Sequence, residues 1–307
     1  MTLSVVIISY NEEANIGRTL VSVKPLVCDG KGEIIVVDSG STDKTVEVAR
    51  SYGAKVFVEE WKGYAAQKNS AIEKASGKWI LSLDADEEVE VALATEIRLL
   101  LMPTLEEAAD WAARLQRIKY VFTHESFREM KALAKQAGQP TDSMFAYVTG
   151  YWIARKNFFL GRFIRHGGFW PDPKLRLFQR GTARFEDRLV HEDARLTTGV
   201  SGRLKYALVH HSYPTFSDYI EHMNRYSTLG AEMVVAKGRR RMVALDIVFR
   251  PTLTFIYNYF FRLGFLDGRE GFLLHVGHAI YVSWKYMKVW EMQHGVSVAA
   301  SGKSSEE

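Results

Sequence analysis

The sequence predicts an α/β fold: a mostly parallel sheet flanked by helices. Short apolar runs alternate with stretches of helical periodicity through the first hundred residues, the pattern of right-handed βαβ units. The apolar runs end on polar or acidic residues, and in open α/β sheets that end of a strand borders the ligand crevice. With 307 residues, 47% hydrophobic and 25% charged, the chain suits one large domain with an appendage, or two modest ones.

The first strand is read over residues 3–8, ending in Ser9-Tyr10-Asn11-Glu12-Glu13. Its leading residues have neither a basic flank nor a cleavage site, so a strand is expected there rather than a signal peptide. Ile16, Leu20 and Val23 share a helical face, with Pro25 expected just past the helix end. Glu33-Ile34-Ile35-Val36-Val37-Asp38 is the second strand, and Thr42 and Asp43 are expected to cap the helix that runs to Gly53. Lys55-Val56-Phe57-Val58 gives a third strand, and Tyr64 to Ala75 a helix carrying Gln67-Lys68-Asn69. The fourth strand, Lys78-Trp79-Ile80-Leu81-Ser82-Leu83, delivers Asp84 and Asp86 at its C-terminal end. Extended geometry continued through that point would place both carboxylates on one side. Their repulsion there favours a divalent cation and the phosphates it bridges. Taken alone, Asp-x-Asp suits ordinary turn aspartates equally well.

Several function classes fall away. A Gly-x-Gly-x-x-Gly after strand one and a Walker lysine loop are both missing, which argues against a dinucleotide or P-loop site. The single cysteine, Cys28, rules out an intramolecular disulfide framework and fits a reducing compartment. No Cys/His cluster has zinc spacing, and a net charge of +4 is too small to argue for nucleic acid. What remains is acidic and polar groups at three strand ends: Ser9–Glu12, Asp38, and Asp84 with Asp86. A nucleotide held by carboxylates on its base and ribose, its phosphates neutralised by a metal, needs that arrangement.

These blocks resemble glycosyltransferase family 2. Val5-Val6-Ile7-Ile8-Ser9-Tyr10-Asn11-Glu12, Ile35-Val36-Val37-Asp38-Ser39-Gly40-Ser41-Thr42-Asp43, Gln67-Lys68-Asn69 and Leu83-Asp84-Ala85-Asp86 follow the family's order over about ninety residues. Later blocks, from Gly150-Tyr151-Trp152-Ile153 through Arg165-His166-Gly167-Gly168-Phe169-Trp170-Pro171-Asp172 and Leu175-Arg176-Leu177-Phe178 to Val190-His191-Glu192 and His210, are similar to bacterial enzymes that glycosylate the lipopolysaccharide inner core. The resemblance implies a GT-A fold. It places Asp38 on a uracil ring, Asp84 on the ribose, and Asp86 on a Mg2+ or Mn2+ at the diphosphate. Ser9, Asn11, Glu12 and Lys68 complete the nucleotide-sugar site, and His210 is the candidate for a second metal ligand.

The implied domain covers residues 1–235: a nucleotide-sugar half over 1–102, a helical insertion over about 103–143 that departs from the family pattern, and an acceptor half over 144–235. Leu175, Leu177 and Gln179 alternate before Arg180-Gly181, so a hairpin returning through Ala183-Arg184-Phe185 is expected. Glu186-Asp187-Arg188-Leu189-Val190-His191-Glu192-Asp193 is the densest titratable group in the sequence. Inversion at an anomeric carbon needs a base for the acceptor hydroxyl, and Asp84 and Asp86 belong to the nucleotide and metal. Glu192, which matches the family's Val-His-Glu block, is the expected base, with Asp187 second.

From Lys237 to His294 nine Lys/Arg stand against four acids, enough to account for the chain's whole positive balance. Aromatics such as Phe255, Phe260 and Trp284 beside Arg239-Arg240-Arg241 suit amphipathic helices over 236–296 at an anionic membrane interface. The same helices could instead cover the sheet or form the face of a homo-oligomer. Neither apolar stretch reads as a membrane span, and residues 297–307 read as a disordered tail. The sequence thus points to an inverting, metal-dependent hexosyltransferase at the cytoplasmic membrane face. It would move a sugar, glucose or a relative, from a UDP-sugar to a glycolipid or oligosaccharide acceptor. The rivals are a polyprenyl-phosphate sugar transferase and a catalytically silent glycan-binding protein on the same fold.

Overall fold

The computed structural model describes residues 2–28, 30, 32–101, 132, 135, 148–186, 193–238 and 245–294. Nearly all of the expected insertion lies outside these residues. So do Asp187, Glu192, Arg239, Arg240, Arg241 and the tail. The chain divides into two compact units, residues 1–163 with 169–212, and residues 164–168 with 213–307.

The first unit is built on β1 (Leu3–Ser9), β2 (Gly32–Asp38), β3 (Lys55–Val58) and β4 (Trp79–Asp84), all parallel. Strand β1 is buried along nearly its whole length, as a strand covered on both faces must be. Its side chains divide by parity. Leu3, Val5 and Ile7 join the core under helix α1 (Ile16–Val27), while Val6 joins Ile35, Ala71 and Ile72 under helix α3 (Tyr64–Glu73). Helix α2 (Thr45–Ser51) bridges β2 and β3, and Asp43 accepts the Thr45 N–H at its start. Pro25 lies inside the last turn of α1 rather than beyond it. A proline that late forfeits a single helical N–H bond.

Beyond β4 the sheet changes character. Strands β5 (Glu87–Val89), β6 (Val148–Phe159), β7 (Arg162–Phe163), β8 (Asp172–Gln179), β11 (Val200–Arg203) and β12 (Leu208–Tyr213) extend it, with helix α4 (Val91–Leu101) following β5. The order is β3-β2-β1-β4-β8-β6-β12-β5, and β8 runs antiparallel to both β4 and β6. The expected hairpin after Gln179 does not form. Both edges of β8 are taken, so β9 (Ala183–Glu186) pairs instead with β10 (Asp193–Leu196) in a separate ribbon.

The position of β4, and so of Asp84, is set at the far end of the sheet. Glu33 is buried, and its Oε1 accepts from Ser4 Oγ (2.7 Å), Ser76 N (2.8 Å) and Ser76 Oγ (2.6 Å). Its Oε2 accepts from Lys55 Nζ at 2.7 Å, and Ser4 Oγ in turn accepts the Gly77 N–H at 2.8 Å. One carboxylate thereby joins β1, β2, β3 and the entry to β4.

The second unit contains helix α5 (Phe216–Ala236), which a Thr215–Asp218 capping box starts. A helical run follows: a π-helical turn Leu245–Phe249, helix α6 (Arg250–Ile256) and a second π turn Tyr257–Phe261. A 3-10 turn (Gly264–Asp267) leads into helix α7 (Gly268–His294). Lys288 Nζ ties α7 to α5 through Asn224 O (2.7 Å), Ser227 Oγ (2.8 Å) and Thr228 Oγ1 (2.8 Å). Residues 164–168 belong to this unit because buried Asp267 accepts the N–H groups of Arg165 (3.1 Å) and His166 (2.8 Å) and pairs with His166 Nδ1 (3.0 Å). No helix among the described residues is long and apolar enough to cross a membrane.

The Glu33 junction predicts an acid-sensitive contribution to stability. Burial alone would raise the Glu33 carboxyl, but Lys55 and Ser76 hold it at about 2, below the ordinary 4.5. The stabilisation is complete above pH 4.5 and is lost as pH falls toward 2. Glu33→Gln should lower unfolding free energy at pH 7 by about 2 kcal/mol and flatten the profile between those limits, as urea titrations at stepped pH would measure.

Candidate active site

The loops after β1 and β2 interlock through Asp38. This carboxylate is fully buried. Its Oδ1 accepts the N–H groups of Gly40 (3.0 Å) and Ser41 (2.7 Å), and its Oδ2 accepts Ser9 Oγ (2.8 Å) and Ser41 Oγ (2.6 Å). Four donors fill the capacity of one carboxylate. In this conformation a uracil N–H could reach Asp38 only by displacing a serine hydroxyl. Asn11 adopts a left-handed φ of 53°, a conformation asparagine tolerates, and its Oδ1 receives the Thr42 N–H at 2.8 Å. Glu12 is half-buried, and burial pushes its carboxyl up to about 7 against the Asn15 hydrogen bond, with Asp86 and Asp84 adding to the rise.

At the end of β4 the two aspartates do not share one environment. The strand stops at Asp84, and Ala85-Asp86 form a turn before β5. Thr19 Oγ1 donates to Ala85 O at 2.7 Å and the His211 N–H to Asp86 O at 3.1 Å, holding that turn. The chain leaves extended geometry between the two, so Asp84 and Asp86 take different partners, while Asp84 still works to raise the Asp86 carboxyl.

Asp84 enters a buried ladder of alternating charge. Its Oδ1 meets Lys68 Nζ at 2.8 Å, and its Oδ2 is bonded by Arg176 Nη2. The same Arg176 nitrogen reaches Glu87 Oε1 (2.6 Å), which also accepts Arg155 Nη1 (3.1 Å). Arg155 Nε then donates to Asp172 Oδ2 at 2.9 Å, directly across β6 and β8. Burial works to raise Asp84, yet Arg176, Lys68 and Arg155 hold it well below the ordinary carboxylate range.

Asp86 faces a different partner. Its Oδ2 lies 3.2 Å from His210 Nε2, on β12. The other ring nitrogen, Nδ1, is 2.7 Å from Asn157 Oδ1 and 2.9 Å from Ser212 Oγ. The Asn157 amide has one sensible orientation, since its Nδ2 faces two acceptors, Phe169 O and Asp172 Oδ2, both at 3.3 Å. His210 Nδ1 is therefore a donor to Asn157, and Nε2 is the nitrogen presented to Asp86. Burial works to raise Asp86, and His210 beside it holds it below its usual value.

The structure thus gathers Lys68 and Asp84 into one ion-paired group and Asp86 with His210 into a second. It gathers Ser9, Asn11, Glu12 and Asp38 into an interlocked pair of loops. The two base candidates, Glu192 and Asp187, lie outside the described residues, and β9 and β10 flank them in sequence. Sequence reasoning passed over Glu87, Arg155, Asn157, Asp172 and Arg176 as individual site residues. Arg176 carried a readable signal: an arginine inside the apolar Leu175-Arg176-Leu177-Phe178 strand must find an acid. Asn157 carried none, because its importance comes from the two acceptors that orient it.

Comparison with known proteins gives the strand-end loops, Lys68 and the two aspartates a family match. Residues 4–97 match Glycosyl transferase family 2. The lipopolysaccharide core biosynthesis glycosyltransferase LpsC of Rhizobium meliloti is 29% identical over 299 residues, 95% of this chain and 93% of that protein. An uncharacterized glycosyltransferase of Rickettsia bellii is 29% identical over 88% of this chain and 80% of its own length. Among solved structures, a mannosyltransferase from Pyrobaculum calidifontis in complex with GDP-Man and Mn2+ is 13% identical, covers 94% of this chain and 86% of its own, and superposes with a TM-score of 0.50, a likeness of fold alone. Residues 4–97, with the strand-end loops, Lys68 and the paired aspartates, are accordingly a family 2 glycosyltransferase domain on a GT-A fold, in a chain similar along most of its length to a lipopolysaccharide core glycosyltransferase.

Proposed function

We propose that the protein is an inverting, metal-dependent hexosyltransferase that moves a sugar from a UDP-sugar to a lipid-linked glycan of the lipopolysaccharide-core type. The Asp86–His210 pair carries the reading. Two donors each about 2.1 Å from one small cation sit roughly 3 Å apart when adjacent, and these atoms are 3.2 Å apart. His210 also bonds outward through its other nitrogen, as metal-ligating histidines do. The donor set therefore fits Mg2+ or Mn2+ with two protein ligands. Among the described residues no third His, Cys, Asp or Glu joins them, so diphosphate oxygens and water would complete the shell. Bound there, the cation would neutralise charge on the leaving diphosphate. Ser9, Asn11 and Glu12 would border the nucleotide, and Asp38 would meet uracil after giving up a hydroxyl donor. Asp84, two of whose lone pairs are uncommitted, would hold the ribose.

The acceptor is read as glycolipid on the similarity to LpsC, and contact with an anionic membrane, at its inner face, on the exposed apolar side chains of the second unit. Transfer to a polyprenyl phosphate would be the outcome if product forms on that lipid and not on a lipid A–core acceptor. A homo-oligomer would show as a concentration-dependent sedimentation coefficient.

Asp86→Asn should reduce turnover by 10²-fold or more, while uridine binding changes little. In calorimetric titrations without donor, Asp86→Asn and His210→Ala should each weaken Mn2+ binding at least 10-fold. Full transfer activity in excess chelator would remove the metal from the mechanism.

Glu192 is proposed as the base that takes the acceptor hydroxyl proton, with Asp187 as the alternative. Glu192→Gln keeps size and hydrogen bonding but loses basicity. It should lower kcat by roughly 10²–10⁴-fold at unchanged UDP-sugar affinity. Normal turnover in Glu192→Gln with an inactive Asp187→Asn moves the role five residues upstream. Activity in both places the base elsewhere.

A further inference from the structure

The second unit carries, between Tyr257 and Leu266, a single guanidinium set among its most exposed apolar side chains. Phe261 is 75% exposed, Tyr257 58% and Phe260 53%, and Leu263 and Phe265 continue the surface. Arg262, also exposed, stands in their midst. Asp267, which with Arg262 acts on His275, is committed elsewhere: it holds residues 165 and 166. Among the described residues no acid pairs with Arg262.

Its backbone is held on both sides. The Arg262 N–H donates to Tyr257 O at 2.9 Å, and Arg262 O accepts the Gly167 N–H at 2.9 Å. The guanidinium lies 5.9 Å from the Tyr257 ring centroid and rests against Gly168, where a Cβ would overlap it. Gly167 and Gly168 both take positive φ, 65° and 90°; Gly168 leaves the room the guanidinium occupies, and Gly167 leaves room for the His275 ring. A fixed arginine fork without an acid is a receptor for a planar pair of anionic oxygens, and phosphate is the commonest such group. The same unit carries a cavity of about 580 Å³ lined by Tyr259, Phe265, Gly268, Arg269, Phe272 and Leu273. The lining is mostly apolar, with Arg269 as its one charged residue.

We propose that Arg262 binds the phosphodiester of a membrane lipid while Tyr257, Phe260 and Phe261 enter the headgroup–acyl boundary around it. The proposal rests on the membrane-contact reading and names the chemistry of that contact. A phospholipid surface offers both halves of the match, an oxyanion layer and hydrocarbon within 5–10 Å of it. Arginine suits that depth because its stem packs on apolar groups while its head stays with the phosphates.

Vesicle co-sedimentation of the full-length protein tests it, with phosphatidylcholine, phosphatidylcholine–phosphatidylglycerol and phosphate-free galactolipid vesicles. Wild type should bind the phospholipid vesicles better than the galactolipid ones. Arg262→Gln should bind phospholipid roughly five-fold more weakly and galactolipid equally well. Arg262→Lys, which keeps charge without the fork, should recover only part of the loss. A Phe260→Ser/Phe261→Ser double variant should weaken binding to all three, and unfolding midpoints near wild type would show each variant folded. Wild-type binding by Arg262→Gln, with loss in the aromatic variant, overturns the phosphate site and leaves membrane contact standing. Undiminished binding in both overturns membrane contact itself. Displacement of bound protein by millimolar glycerol phosphate would make the ligand a soluble phosphate and overturn the lipid assignment.

Discussion

The first unit depends on the ladder Lys68–Asp84–Arg176–Glu87–Arg155–Asp172. Three cations alternate with three carboxylates, and Lys68, Glu87 and Arg176 are almost wholly buried. Charges in that setting tolerate burial only when each has its partner, and removing one leaves its neighbour uncompensated at a cost of about 3–5 kcal/mol. The ladder is therefore a specification more than a reservoir of stability. It requires α3, β4, β5, β6 and β8 to arrive together, and a strand displaced by one register would strand a charge in the core.

The ladder also reaches His210. Asp172, its last member, accepts from Asn157 as well as from Arg155. Asn157 is oriented by that bond and by Phe169 O, and its Oδ1 accepts a hydrogen bond from His210 Nδ1. Electrostatic order at Asp84 is thus transmitted, through one amide, into the choice of which imidazole nitrogen faces Asp86. The coupling is mechanical and local: each group has one orientation that satisfies its neighbours, so the whole chain of groups has one.

Much of this was legible in the sequence. The βαβ rhythm, the strand ends and the order of the blocks all appear in the first ninety residues, because local periodicity governs parallel units and function sits at their ends. The antiparallel half was harder. Leu175 to Phe185 has the alternation and the Arg180-Gly181 turn of a hairpin, and only the occupancy of both β8 edges by β4 and β6 prevents it. Asp84 and Asp86 were readable as a pair but not as two separate environments, since a turn at Ala85 leaves no mark on period-two patterning. Asn157 and Glu87 gain their roles from partners tens of residues away, and single-sequence spacing carries no information about such pairs.

The division between the two aspartates bears on where a cation can go. Asp84 already holds Lys68 and Arg176, so a metal at its carboxylate would bring two further positive charges up against two buried cations. Among the described residues Asp86 pairs only with His210, so a cation held between those two would leave the ion pairs of the ladder intact. On the proposed function, Coulombic cost would favour the Asp86 side for the divalent ion, although both residues belong to one Asp-x-Asp motif. The ladder holds Asp84 ionised and in one place, which on the proposed function would suit an acceptor for the neutral hydroxyls of a ribose.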